Sequence, residues 1–112
     1  MEIDRLIEDA ASAANIYSLE LIEIDRTDHI ISLKLLIDNE LFIQIYGNIE
    51  KDKLNLALVL KKKRLYGYDS ERDRSHRHPF DNPDSHFFVT EKKSIKEFVQ
   101  ESMRFLEEKE IL

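Results

Sequence analysis

Apolar residues recur first at helical and then at strand spacing. Ile3, Leu6, Ile7, Ala10, Ala11 and Ala14 make one stripe of a 3.6-residue period, which predicts an amino-terminal helix ending near Asn15. From Ser18 the period shortens. Residues 19–25 (LELIEID) alternate imperfectly and are followed by the turn-forming RTDH. In 30–37 (IISLKLLI), Ile31, Leu33, Leu35 and Ile37 share one face, and in 40–46 (ELFIQIY), Leu41, Ile43 and Ile45 do the same. Asp38-Asn39 between these runs predicts a tight hairpin, because Asp and Asn accept positive φ more readily than most residues. Leu54, Leu56, Leu58 and Leu60 line one side of a further strand. Its run continues as KKKRLYGYD, with Arg64, Tyr66 and Tyr68 expected on one side and Leu65 and Gly67 on the other. Connections this short make neighbouring strands antiparallel.

Helical spacing returns at the carboxyl end. Ser94 and Glu97 form an S-x-x-E capping box ahead of Ile95, Phe98, Val99, Phe105 and Leu106, a buried stripe that Ser102 interrupts. The predicted class is α+β: an antiparallel meander of four to five strands with an N-terminal and a C-terminal helix packed on it. At 112 residues, without repeats or low-complexity tracts, the expectation is a single α+β domain over residues 1–112.

Composition narrows the function classes. Apolar residues are 42% and charged residues 36%, which suits a globular protein with its own core. No apolar run reaches the roughly 20 residues that span a bilayer. The acidic start MEIDRLIEDAA lacks the order of a signal peptide, so a cytoplasmic location without membrane association is expected. The absence of cysteine excludes disulfides and thiolate chemistry. A net charge of −6 argues against general backbone-driven nucleic-acid binding, yet the charge is uneven. Between Lys61 and His78, seven Lys/Arg face three acids, a local +4 that leaves −10 for the remainder. That asymmetry suits either an anionic partner or a solubilising face.

The chemistry-bearing residues concentrate in 67–87, GYDSERDRSHRHPFDNPDSHF, read as a long ordered loop leaving a strand. Gly67 between two tyrosines points to a bulge or a close approach. His76 and His78 at i, i+2 point the same way on an extended backbone, and His86, with Asp81 and Asp84, could complete a divalent-metal site. A second account needs no cofactor. His76 and His78 would serve as general acid and base, Arg72, Arg74 and Arg77 as phosphate ligands, and Tyr68, with Tyr66, as a group that stacks on a base. In a structural account, Asp69 and Glu71 pair with Arg72 and Arg74 to hold the segment against the sheet. Surface histidines in a polar loop remain the plainest alternative.

The run LYGYDSERDRSHRH (65–78) resembles the TumE-type toxins of two-component toxin–antitoxin systems, in which a strand ends in a tyrosine–aspartate step followed by E-R and then H-R-H. Gly67, Tyr68, Asp69, Glu71, Arg72, His76, Arg77 and His78 stand at those places. Ser70 and Asp73 depart from the pattern, where Asn and Gly are expected, and PFDNPDSHF is longer and more acidic than the usual continuation. The resemblance implies a toxin role, a small antitoxin encoded nearby as partner, and a metal-independent ribonuclease or other phosphate-directed activity on RNA. The rival expectation is a non-catalytic protein-interaction domain whose histidine loop is structural or metal-binding. The edge of a small meander also allows a homodimer.

Overall fold

The computed structural model describes residues 1–72, 74–80, 87–89 (backbone only) and 92–112. Helix α1 (Ile3–Tyr17) opens the chain and buries Leu6, Ala10, Ala13 and Ala14. It runs past Asn15 and stops at Ser18, which takes the left-handed conformation at φ 56° and donates its amide to the Ala14 and Asn15 carbonyls. Among the described residues seven strands follow: β1 (Glu20–Arg26), β2 (Ile30–Asp38), β3 (Leu41–Asn48), β4 (Lys53–Leu60), β5 (Lys63–Glu71), β6 (Arg74–His78) and β7 (Phe87–Val89). Each pairs only with its neighbours in sequence, so the sheet order is β1-β2-β3-β4-β5-β6-β7, all antiparallel. Helix α2 (Ile95–Glu108) closes the fold.

The α+β meander with a helix from each end is as the periodicity predicts, but the strand count rises from four or five to six of five residues or more plus the three-residue β7. Part of the excess comes from Leu54–Asp69, which sequence alternation presents as one continuous run. It is cut by a two-residue turn in which Lys61 and Lys62 both adopt positive φ, 50° and 68°, while Leu60 pairs with Lys63. The Lys61 amide donates to the Glu40 carbonyl at 2.9 Å, so this turn leans on the one between β2 and β3. Two lysines are poor occupants of a turn that favours Asn-Gly. The double substitution Lys61→Asn with Lys62→Gly is expected to relieve that strain, stabilise the fold by about 1 kcal/mol and raise Tm by about 5 °C. An unchanged or lower Tm by differential scanning calorimetry would count against the strain argument.

Both helices lie on one face of the sheet. There Ile31, Leu33 and Leu35 of β2, Leu41, Ile43 and Ile45 of β3, and Leu56 and Leu58 of β4 meet the stripes of α1 and α2, all of them buried. At α2 the Glu97 amide donates to Ser94 Oγ at 3.1 Å, and the Ser94 amide donates to Glu97 Oε1 at 3.2 Å. That backbone bond, with the Ser94 hydroxyl second, holds the Glu97 carboxyl below the usual carboxylate range. The stripe of α2 buries Ile95, Phe98, Val99 and Leu106 fully, and Ser102 with them. Phe98 stacks on Tyr66 of β5 at 5.0 Å between ring centroids, Tyr66 on Phe80 at 4.1 Å, and Phe80 on Phe105 at 3.6 Å. Phe80 thereby carries the chain from the end of β6 to the helix-bearing side.

Candidate functional site

The amino-terminal half of the histidine-rich segment is a β-hairpin. Strands β5 and β6 pair in register from Gly67–His78 to Glu71–Arg74, with Arg72 in the turn that follows β5. Arg72 in that turn takes positive φ, 57°, and donates its amide to the Asp52 carbonyl at 2.8 Å. The polar alternation D-S-E then R-S-H-R-H is thus the two-faced pattern of paired strands rather than a loop.

Cross-strand partners share a face, so register sorts the candidate residues. Tyr68 pairs with Leu56 and with Arg77, on the helix-bearing face. Asp69 pairs with Asn55 and with His76, and Gly67 with Ala57 and with His78, on the opposite face. The expected grouping of Tyr68 with His76 and His78 is therefore undone by the period of two: Tyr68 is only 4% exposed, and its ring carries the Lys93 ammonium 5.3 Å from its centroid. Tyr66 is buried likewise and donates its hydroxyl to Glu101 Oε2 at 2.6 Å, while Glu101 Oε1 takes Lys93. Burial first, and then the hydrogen bond and charge of Glu101, push the Tyr66 hydroxyl above its ordinary range. Neither tyrosine is placed to stack on a base. Arg77 falls on their side as well, and Arg72 sits at the turn.

Arg64 moves in the opposite sense. A register shift between Leu58 and Val59 pairs Leu58 with Tyr66 but Val59 with Arg64, so Leu65 is a bulge residue. The bulge carries Arg64 off the tyrosine side and onto the histidine face. Gly67 is the close approach that its position suggested. A Cβ there would lie 3.2 Å from Arg64 Cδ, 3.2 Å from His78 Cδ2 and 3.3 Å from His78 Cβ.

The room left by Gly67 lets His78 lie flat in the sheet surface, where it is 1% exposed. Its Nε2–H donates to Asp69 Oδ2 at 2.9 Å, along the diagonal of the strand pair. Asp69, whose side chain is 30% exposed, faces outward into a cleft of about 230 Å³ lined also by Lys53, Asn55, Ser70, Glu71, Arg74 and His76. Lys53 Nζ and Glu71 Oε1 stand 3.9 Å apart at its mouth. Asn55 Oδ1 is buried and accepts from no donor among the described residues. An acceptor so placed is satisfied by a donor that enters the cleft.

The hairpin thus gathers Asp69, Glu71, Arg74, His76 and His78 and excludes Tyr68, Arg72 and Arg77. Lys53 and Asn55 complete the site. Their signal in the sequence was the polar alternation of Lys53, Asn55 and Ala57 opposite the leucines of β4, legible as function only once β4 is known to pair with β5. His86, Asp81 and Asp84 lie outside the described residues, and among the described residues no three His, Asp or Glu side chains are placed to share a metal ion.

Comparison with protein-family models, curated proteins and solved structures returned no match. The residues of the cleft carry the functional reading. No helix among the described residues is long and apolar enough to cross a membrane.

Proposed function

We propose that the cleft of β4, β5 and β6 cleaves phosphodiester bonds in RNA, and that the protein is the toxin member of a toxin–antitoxin pair. The observation that carries this reading is the cross-strand row Asn55–Asp69–His76, flanked by Lys53 and Arg74 in one cleft and backed by the His78–Asp69 bond. His76 is the half-buried imidazole that lines the cleft, and imidazole is the commonest general base, which suits it to take the proton from a ribose 2′-hydroxyl. The freed oxygen bonds to phosphorus and the bond to the 5′-oxygen breaks. The leaving oxygen takes up a proton from solvent, giving a cyclic phosphate and a 5′-hydroxyl end. Arg74 and Lys53 hold the non-bridging oxygens as charge develops. Asn55 Oδ1 accepts from a sugar hydroxyl, a group that DNA lacks at the 2′ position. His78 acts through Asp69 as a positioning residue, because at 1% exposure it touches no substrate. A small antitoxin encoded nearby is the proposed partner, masking the basic residues around the cleft.

His76→Ala is expected to lower RNA cleavage by about 10²–10⁴-fold and to abolish growth arrest on induced expression. The two readouts are end-group analysis of the RNA products and growth of induced cultures. Equal growth of wild type and variant with intact cellular RNA would overturn the reading.

A second reading has its own observation. The burial of His78 and its bond to Asp69 also suit a purely structural tie between β5 and β6 in a non-catalytic interaction domain. Under it, His78→Gln lowers Tm while His76→Ala changes nothing. A metal-closed version of the histidine segment further requires bound metal in the purified protein and a melt that chelator lowers.

A further inference from the structure

With α1 and α2 both on one side, the other side of the sheet is an extended face with no helix over it among the described residues. The row through the cleft continues along it: His76 pairs with Asp69, Asp69 with Asn55, Asn55 with Tyr46, and Tyr46 with Ser32. Tyr46 is half-buried and lies two strands from Asp69, roughly 10 Å at the usual spacing. Its hydroxyl accepts from Asn48 Nδ2 at 3.5 Å, at the margin of hydrogen bonding. Beside it Gln44 is exposed, and beyond that Phe42 carries the Lys34 ammonium 4.3 Å from its ring centroid. Ala57 and Gly67 lie in register between Gln44 and His78.

Across β2 to β6 this face is basic where the chain is acidic: it carries Lys34, Lys53, Arg64 and Arg74 against Asp69 and Glu71, a net +2 on a protein of net charge −6, while Glu20 and Asp25 make its β1 edge acidic. Asp69 is hydrogen-bonded to His78, and Glu71 lies 3.9 Å from Lys53. A flat, aromatic-bearing surface with a basic excess suits a polyanion whose bases are unstacked. A duplex would hide its bases from Tyr46.

We infer that this open sheet face is the track for single-stranded RNA entering the cleft, and that Tyr46 is a positioning residue on which a base near the reacting phosphate stacks. The inference rests on the phosphodiester reading for its direction, but it concerns binding and is measured apart from cleavage. Arg64 and Lys34 contact the phosphates on either side.

The test uses the full chain carrying His76→Ala, so that bound RNA stays intact, and a fluorescein-labelled single-stranded RNA of mixed sequence followed by anisotropy. Tyr46→Ala is expected to weaken binding by about five- to a hundredfold, and Tyr46→Phe to restore it, since stacking needs the ring and not the hydroxyl. Arg64→Gln is expected to flatten the salt dependence by about 0.7 in the log–log slope. In the cleaving protein Tyr46→Ala should raise KM more than it lowers kcat. Equal affinity for duplex and single strand, or affinity indifferent to Tyr46→Ala in a variant with an unchanged melt, overturns the inference and leaves the cleavage reading standing. Tyr46-dependent binding without cleavage by the wild type supports the track and overturns the catalytic reading. No RNA binding at all overturns the track.

Discussion

Phe98→Ala is expected to cost about 3–5 kcal/mol, a large part of the roughly 5–15 kcal/mol that holds a domain of this size together. Phe98 is fully buried and is the end of the ring column that joins α2 to β5. Its removal loses the transfer free energy of the ring and opens a void beside Tyr66 that rigid strands cannot close. Tm should fall by about 15 °C or more. Phe105→Ala is the internal comparison, because Phe105 packs at the far end of the same column and is only partly buried. A smaller drop for Phe98 than for Phe105 would contradict the placement of the core. The same variant has an optical signature. Burial is the largest cause of the raised Tyr66 hydroxyl, so uncovering the ring should return its ionisation toward the ordinary range, seen by alkaline difference absorbance. The sign for stability follows. A tyrosine that resists ionisation in the fold contributes fully below about pH 10, and its contribution is lost as pH rises through the folded value.

Gly47→Ala should destabilise by about 1–3 kcal/mol although it adds a single methyl group. Gly47 lies on β3 directly under α1, and a Cβ there would sit 2.6 Å from Leu6 Cδ1 and 3.2 Å from Ile31 Cγ2. Leu6 and Ile31 are both buried, so the methyl is accommodated only by displacing one of these side chains or the helix that carries Leu6. Combining the change with Leu6→Ala separates overpacking from any cost of altering a strand backbone. The methyl should be cheaper in the Leu6→Ala background, with a coupling energy of about 0.5–3 kcal/mol in urea melts. Strict additivity would show that the clash is not the cause.

How much of this was legible beforehand depends on what each residue answers to. The helices were legible because Leu6, Ala10 and Ala14, or Phe98, Val99 and Leu106, repeat with the helical period and little competes with it. Ser94 and Glu97 announced the start of α2 by chemistry that acts over one turn. Strands β2 and β3 were legible for the same local reason. What escaped is non-local. Nothing about Lys61 and Lys62 favours positive φ, and their turn exists because Leu60 and Lys63 pair within a sheet whose other strands fix their places. The bulge at Leu65 follows from that pairing, and one extra residue sufficed to put Arg64 and the tyrosines on opposite faces. The site was half legible. His76, His78, Asp69, Glu71 and Arg74 were singled out by type and proximity in sequence, but Tyr68, Arg72 and Arg77 came with them, because sidedness is a property of register. Lys53 and Asn55 belong to a strand that sequence alone gave no reason to place beside the histidines.

The uninterrupted order of the sheet also has a kinetic consequence. Every strand finds its partner a short distance along the chain, so hairpins can close one after another with little loop entropy at each step. The union of α1 with α2 is different, for it joins the first residues to the last across nearly the whole sequence. The hairpin bearing Asp69, His76 and His78 needs only local closure, whereas the leucines and tyrosines of the other face wait for α2. During synthesis the cleft can form early, while the surface that most needs covering is covered last.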